Sequence, residues 1–397
     1  MFNRMRVLAL ASLVFLAACG EKSAPSSVPQ NLTATAGDGQ VVLHFTQDSN
    51  LTYWAFSAQG TGISRDNYLS FPEARVTWPV VDGSIITGLT NGKEYSFFIN
   101  GSEGNGPAGP ESITVSATPR LAGSNWIANT PIGSGFDAGG LAYGLTKYMT
   151  VTYDGNAWVS ADAKTWTTTT SAPGVGPLNS VAFNGTSLLF VAVGDNGAIT
   201  TSADAATWTT RTSNSTAKLN GVSAVGGSYV AVGDGGVILG TSDYTNWVVR
   251  TSGVTANLHK VEYIAGTFVA VGDNGTIVSS PDGFTWTVKT SGTTANLYDI
   301  TYGNSTYVAV GENGTLLTST DQTTWTQQPA QTANTLYGVT YGSQFVAVGA
   351  NGFVMYGTDG VTWSLANTAV TGDLYKVIYA LGVYITVGKG GVNEYSS

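Results

Sequence analysis

One recurring position in the chain carries side chains suited to binding a ligand. It follows a leading Leu in six segments and holds Asn179, Asn220, His259, Tyr298, Tyr337 and Tyr375. The next residue also varies and includes charged side chains. Aromatic faces beside polar groups suit sugar rings or an extended peptide, because they combine flat apolar area with orienting hydrogen bonds. The chain therefore predicts a ligand site built from His259, Lys260, Tyr298, Asp299, Tyr337, Tyr375 and Lys376, unless these rings only pack between neighbouring repeats.

Few residues remain that could catalyse a reaction or hold a metal. The chain has 2 His and 1 Cys, and it contains no S-x-x-K, G-x-S-x-G, P-loop or H-E-x-x-H motif. A calcium site at Asp195 or Asp273 lacks EF-hand spacing. We therefore expect no metal, no cofactor and no enzymatic activity. The alternative is a glycoside hydrolase that attacks polysaccharide through Asp299 and Glu312 as acid and base.

A repeat of about 39 residues positions the candidate site. Seven tryptophans mark it at separations of 40, 42, 39, 39, 39 and 38 residues: Trp126, Trp166, Trp208, Trp247, Trp286, Trp325 and Trp363. Each period predicts four strands, which is the pattern of a β-propeller blade. We expect seven blades over 139–168, 178–210, 219–250, 258–289, 297–327, 336–365 and 374–397. The isolated Trp strand at 124–129 would complete the last blade, so that no sheet edge stays open.

The turn before each Trp carries an Asp that is expected to accept turn N–H groups. These residues are Asp162, Asp204, Asp243, Asp282, Asp321 and Asp359. The turns resemble the Asp-box or BNR repeat, although Asp and Trp are four residues apart here rather than five. The array thus resembles WD, YVTN and BNR propellers.

Three propeller families suggest different activities. Sialidases have six blades and an arginine triad, whereas this ring has only Arg211 and Arg250, at matching repeat positions. Xyloglucanases place their carboxylates between two propellers, and here there is one ring. Lipidated, seven-bladed photosystem II assembly factors are also similar, and that resemblance implies protein binding without catalysis. Their basic patch is missing here.

The segment 29–120 predicts a separate β-sandwich of about seven short strands. It resembles a fibronectin type III domain in its opening P-Q-N-L-T-A, its L-T-N-G-K-E-Y segment and its closing V-S-A-T-P. The resemblance implies that the Tyr95 hydroxyl ties back to the backbone before its strand. Phe45 stands where the family usually has Trp, and His44 is expected to point outward.

The first residues predict export and a lipid anchor. Arg4 and Arg6 precede an apolar run in 1–18 that is typical of a signal peptide and too short to span a bilayer. The run ends in L-A-A-C, which resembles the bacterial lipobox and implies lipid on Cys19. A plain signal peptide with a chance cysteine is the alternative. Residues 19–28 would form a tether, and Gly20 resembles the pattern that directs lipoproteins to an outer membrane.

Composition sets the fold class and excludes nucleic acid as a partner. Charged residues make up 10% of 397 residues, with 51 Gly, which disfavours long surface helices and favours an all-β chain. A formal net charge of -9 leaves no basic stripe for phosphates. We expect a monomeric binding or scaffold protein, lipid-anchored at the outer membrane or cell surface, with a glycan or envelope protein on the propeller face (121–397).

Overall fold

The chain is all-β and divides into two compact units, one up to residue 121 and one from residue 122. The computed structural model describes residues 28–103, 106–107, 109–120, 122–133, 136–169 and 175–396. These residues form nine sheets joined by turns. The predicted signal peptide, Cys19 and most of the predicted tether lie outside the described residues. No described helix has the length and apolarity that crossing a membrane requires.

The first unit is a sandwich of two antiparallel sheets. A three-stranded sheet has the order β1-β2-β5 and a four-stranded sheet the order β4-β3-β6-β7. The strands are β1 (Gln30–Gly37), β2 (Gln40–Thr46), β3 (Thr52–Gln59), β4 (Arg75–Val80), β5 (Ser84–Thr87), β6 (Tyr95–Ser102) and β7 (Val115–Ala117), with a 3-10 turn at Tyr68–Ser70. Alternate residues of both sheets meet in one core that includes Leu43, Phe45 and Phe97.

Two expectations for single residues of this unit are confirmed. The backbone N–H of Thr90 donates to the Tyr95 hydroxyl (3.0 Å), which also bonds Glu73, so Tyr95 fixes the corner before β6. His44 faces outward on β2, where its side chain is 53% exposed and lies 3.1 Å from Asp82.

The second unit consists of seven four-stranded antiparallel sheets. Sheets one to three contain β9 (Ala138–Gly144), β10 (Lys147–Thr152), β11 (Ala157–Ser160) and β12 (Thr167–Thr168); β13 (Leu178–Asn184), β14 (Leu189–Gly194), β15 (Ile199–Ser202) and β16 (Thr209–Arg211); β17 (Leu219–Val225), β18 (Ser228–Gly233), β19 (Ile238–Thr241) and β20 (Val248–Arg250). Sheets four and five contain β21 (Leu258–Ile264), β22 (Thr267–Gly272), β23 (Ile277–Ser280) and β24 (Thr287–Lys289); β25 (Leu297–Gly303), β26 (Thr306–Gly311), β27 (Leu316–Ser319) and β28 (Thr326–Gln327).

The last two sheets follow the same order. They contain β29 (Leu336–Tyr341), β30 (Phe345–Gly349), β31 (Val354–Gly357) and β32 (Ser364–Leu365); β33 (Leu374–Ala380), β34 (Val383–Gly388), β35 (Asn393–Ser396) and, from the other end of the unit, β8 (Ile127–Ala128). Single 3-10 turns lie at Asp195–Gly197, Asp234–Gly236, Asp273–Gly275, Glu312–Gly314, Ala350–Gly352 and Lys389–Gly391.

The seven sheets form a closed ring, the arrangement of a β-propeller. The first strand of each sheet packs against the first strand of the next, and β33 packs against β9. Closure also uses the backbone, since Tyr395 on β35 pairs with Ile127 on β8. This is the pairing that the isolated Trp strand predicts.

Packing between the sheets follows from the repeat. Val193, Leu219 and Tyr229 lie in one core shared by the second and third sheets, and equivalent residues fill the other interfaces. The tight turns need left-handed residues, for which Asn and Gly are favoured: Asn274 has φ 56° and Gly275 φ 68°. A Cβ on Gly275 would lie 2.0 Å from the Thr293 carbonyl oxygen, so only Gly fits there.

Candidate functional site

The start of each first strand and the turn between the second and third strands lie together on one face of the ring, here called the upper face. In the fourth sheet, the N–H of Asp273 in the turn donates to the carbonyl of Asn257, just before β21 (2.9 Å). Neighbouring sheets are linked there as well, because the Asn296 side chain accepts the N–H of Asn274 (2.9 Å). The repeat therefore carries the variable position after each leading Leu to the same rim.

Four aromatic rings at that position form a continuous row, here called the crown: His259, Tyr298, Tyr337 and Tyr375. Their centroids are 5.1, 5.6 and 5.4 Å apart in that order, with interplanar angles of 45°, 54° and 77°. All four are half-buried. The row spans four consecutive sheets, and the tilted contacts between its rings are those of packed aromatic pairs, so a role in binding a ligand stays a prediction.

The equivalent residues of the second and third sheets are structural. The Asn179 side-chain amide donates to Asp195 (2.9 Å) and to the carbonyl of Leu219 in the next sheet (2.9 Å). Asn220 repeats this pattern with Asp234 (2.8 Å) and the carbonyl of Leu258 (3.0 Å). These amides fasten neighbouring inner strands together, and the crown begins where they are replaced by His259.

His259 couples the crown to an acidic turn. Its Nε2 lies 2.6 Å from Asp273 Oδ1, and the two side chains are 25% and 24% exposed. The other carboxylate oxygen of Asp273 accepts the side-chain amide of Asn257 (2.9 Å). Asp273 therefore fixes the orientation of the His259 ring.

The central channel of the ring holds charged side chains beneath the crown. A cavity of about 280 Å³ is lined by Lys260, Glu262 and Asp299, among mostly small or apolar residues. Lys260 Nζ and Glu262 Oε1 form an ion pair at 2.7 Å. Burial alone would lower the pKa of Lys260, but the carboxylates of Glu262 and Asp299 outweigh burial and raise it above its usual value.

Both carboxylate oxygens of Asp299 accept hydrogen bonds from the backbone. Oδ1 accepts the N–H of Ile300 (2.9 Å), and Oδ2 accepts the N–H of Val339 on the next inner strand (3.1 Å). The residue is 3% exposed. Its carboxylate thus satisfies an N–H group on the free edge of β29, a role the sequence did not predict, and contact with a ligand stays a prediction.

Lys376 is a half-buried amine that forms no ion pair among the described residues. Burial lowers its pKa to about 8, with Lys260 acting in the same direction and Asp299 and Glu262 opposing it.

Sequence reasoning missed two residues of this region. Glu262 lines the channel at a strand position where the other six sheets have uncharged residues: Ala142, Ala182, Ser223, Thr301, Thr340 and Ile378. A single charged residue at an otherwise uncharged repeat position was the signal that could have identified it. Tyr153 is 41% exposed and occupies the first turn position of its sheet, where four other sheets have Asp or Glu. Burial raises the pKa of Tyr153, and Asp137 and Asp195 add to the shift.

The Asp-box carboxylates have the structural role that their periodicity predicts. In the fourth sheet, Asp282 Oδ1 accepts the N–H groups of Phe284 (2.8 Å) and Thr285 (3.0 Å) and the Ser280 hydroxyl (3.0 Å). The same N–H pattern recurs at Asp162, Asp204, Asp243, Asp321 and Asp359. These turns follow the third strands and so lie on the opposite, lower face.

The two arginines of the ring also have structural partners. The Arg211 guanidinium lies 5.5 Å from the Tyr244 ring centroid, and that of Arg250 lies 4.3 Å from the Phe284 centroid. Each stacks on an aromatic residue of the following sheet. Within the described ranges, no cluster of three His, Cys, Asp or Glu side chains has the geometry for a metal ion.

Comparisons with known proteins support the propeller fold. No family model and no curated protein matches the sequence. Solved structures do match: YCF48 from Cyanidioschyzon merolae has 15% identity and a TM-score of 0.56 over 69% of this chain and 98% of its own. A structure titled YCF48 bound to D1 peptide has 16% identity and a TM-score of 0.58, and the match covers 70% of this chain and 99% of that one.

Two other solved structures also match this chain. The WD40 beta propeller domain of Doa1 matches at 13% identity and a TM-score of 0.57, over 69% of this chain and 97% of its own. Streptogramin B lyase has 11% identity and a TM-score of 0.60, and the match covers 69% of this chain and 98% of that one. At these identities the likeness establishes the fold alone, and that fold is shared by binding proteins and an enzyme.

Proposed function

We propose that this chain is a cell-envelope binding or scaffold protein whose upper propeller face docks a protein partner. In this proposal the second unit is a seven-bladed propeller, the segment 29–120 is a fibronectin type III spacer, and lipid on Cys19 holds the protein at a bacterial membrane through the tether 19–28. The row of rings from His259 to Tyr375 is the observation that carries the proposal.

Ring geometry favours a peptide over a glycan. Neighbouring crown rings pack on one another and are inclined by 45° to 77°, so they offer an uneven surface rather than one flat platform. An uneven aromatic surface suits the irregular surface of a protein partner better than the flat face of a sugar ring, and aromatic residues are enriched among the residues that dominate binding energy at protein interfaces. A neighbour with the same fold is YCF48 bound to D1 peptide, which supports the use of such a ring for peptide binding. A glycan remains the second candidate.

A paired variant tests the crown. Tyr298→Ala with Tyr337→Ala removes the two central rings, and Phe284→Ala removes an exposed ring from the lower face (49% exposed) as a matched control. After cross-linking in intact envelopes, we expect the crown variant to capture at least tenfold less partner than the wild type and the control to capture the same amount. Equal capture by all three proteins, each folded by circular dichroism, would place the binding surface elsewhere.

The glycosidase alternative has a specific weakness. Asp299, its proposed acid or base, is 3% exposed and holds two backbone N–H groups. Turnover of a polysaccharide that disappears with Glu312→Gln would nevertheless establish an enzyme.

The proposed lipid anchor is tested separately. Cys19→Ser should release the protein from membranes.

A further inference from the structure

Carboxylates surround the crown at two equivalent positions of the upper face. One position precedes the first strand of a sheet, and the other is the first residue of the turn between its second and third strands. Together these positions hold six carboxylates, here called the acidic rim: Asp137, Asp195, Asp234, Asp273, Glu312 and Asp373. Only Lys218 and Lys389 carry positive charge at these positions.

Backbone contacts hold the acidic rim on the same face as the crown. Asp373 Oδ1 accepts the N–H of Asn351 (2.9 Å), and Asp137 Oδ1 accepts that of Gly390 (2.8 Å), which links each carboxylate to the turn of the preceding sheet. All six rim residues are half-buried, so their carboxylates keep contact with solvent, and Asp195 also lies 3.9 Å from Lys218 Nζ.

The crown rings lie within the field of these carboxylates. Burial raises the pKa of Tyr298, and Glu312 and Asp273 raise it further. Burial likewise raises the pKa of Tyr375, with Asp137 and Asp373 adding to the effect. A carboxylate that disfavours a nearby phenolate favours a nearby cation by the same interaction.

We propose that the upper face binds a cationic, Arg- or Lys-rich segment of the protein partner, with its side chains lying over the crown rings and pairing with the acidic rim. This inference rests on the proposed function and narrows its partner. Guanidinium and ammonium groups are attracted to aromatic faces within about 6 Å and to carboxylates. Both features occur here around four consecutive rings.

The charge of the ligand distinguishes a cationic peptide from a glycan or an acidic peptide at the upper face. A neutral glycan has no charge–charge attraction to the six carboxylates, and an acidic peptide is repelled by them. The interaction should also weaken with salt, because half-exposed charges are screened over about 10 Å at 0.1 M ionic strength.

Direct titration of the full chain tests the proposal. The probe is a short synthetic peptide that alternates Arg with Gly and Ser, compared with matched peptides carrying Glu or Ser instead of Arg. We expect binding of the Arg peptide only, weakening as salt is raised. Glu312→Gln with Asp373→Asn should weaken binding about threefold for each carboxylate removed, and Tyr337→Leu should weaken it about tenfold.

A charge-matched control removes two exposed carboxylates from the first unit, Asp66→Asn with Glu103→Gln, and should leave binding unchanged. Equal binding of the Glu, Ser and Arg peptides, or equal losses in the rim and control variants, would overturn the inference. Displacement of the Arg peptide by stoichiometric Mg²⁺ or Ca²⁺ would instead identify a metal-ion site. Should the envelope cross-linking depend on the crown but yield an acidic partner, the proposed function would stand and this inference would fail.

Discussion

Glu394 shows how a single residue can set a pH dependence. It is 0% exposed on β35; Oε1 accepts the N–H of Ala369 (2.8 Å), and Oε2 has no hydrogen-bond partner among the described residues. Burial raises its pKa above the usual value, although the N–H groups of Ala369 and Val370 oppose the shift. Because the folded state favours the protonated acid, the contribution of Glu394 to stability is complete below the unfolded pKa of about 4.3 and declines as pH rises through the folded pKa.

We therefore predict that Glu394→Gln flattens the pH dependence of unfolding. Between pH 5 and pH 8, the wild-type free energy of unfolding should fall by about 1 kcal/mol more than that of the variant, since an ionised buried oxygen without a partner costs about 1–3 kcal/mol. Urea unfolding at both pH values measures the difference. Glu312→Gln, on the solvent-accessible upper face, serves as the control, and an equal change in both variants would contradict the assignment to Glu394.

Residue roles at the candidate site were predictable only in part. The variable position after each Leu could be identified from the repeat, because its residue changes while its neighbours recur, but the structural bonds of Asn179 and Asn220 at that position could not. The hydrogen bond from the Val339 N–H on the next inner strand to Asp299 could not be predicted, since it depends on the offset between adjacent sheets. The ion pair of Glu262 with Lys260 likewise depends on which side chains share the channel.

At the scale of the element, the Asp-box turn predicts a loss of stability in acid. The usual expectation for burial is a higher carboxyl pKa, yet the pKa of Asp162 is lowered by N–H bonds from Thr165 and Lys164 and by the Ser160 hydroxyl, which together outweigh burial. Such a group adds stability above its unfolded pKa of about 3.9, and that stability is lost as pH falls through the folded pKa.

Substitutions at one turn separate charge from hydrogen bonding. Asp162→Ala should lower the free energy of unfolding at pH 7 by about 1 kcal/mol, because two turn N–H groups lose their acceptor. Asp162→Asn keeps an acceptor and should lose less, while being less sensitive to pH between 5 and 3. Thermal unfolding at several pH values measures both effects, and identical behaviour of the two variants would show that the carboxylate does not hold this turn.

The four-stranded repeat was predictable because local and global signals agree, although each fourth strand begins after its Trp rather than with it. Trp spacing, alternating apolar residues and Asn-Gly turns all indicate the same four strands, and the structure has them in seven sheets. The closing strand was predictable for a simpler reason: a lone Trp strand at one end and a three-stranded remainder at the other complete each other. Side-chain contacts across sheets carry no such periodic signal.

At the scale of the whole molecule, the ends of the second unit close the ring. Besides pairing β8 with β35, the closure bonds the Gly123 N–H to the Ser396 hydroxyl (2.8 Å) and the Ile132 N–H to the Gly391 carbonyl (2.7 Å). Trp126 is 5% exposed in the adjoining core. Removing this segment would expose the edge of β35 together with Glu394, and exposed strand edges promote association between chains.

Deletion of residues 122–133 should therefore destabilise the ring and cause self-association. The loss should exceed that of Trp126→Ala, for which about 3–5 kcal/mol is expected from removal of a buried Trp. A permutant that carries 122–133 after residue 397, with residue 121 joined to 136, should regain stability and lose the self-association of the deletion variant, because β8 and β35 then form a hairpin. Urea unfolding and light scattering measure these two properties. If the deletion unfolds at the same urea concentration as the wild type, or if the permutant is no better than the deletion, strand pairing at this seam is not what holds the ring closed.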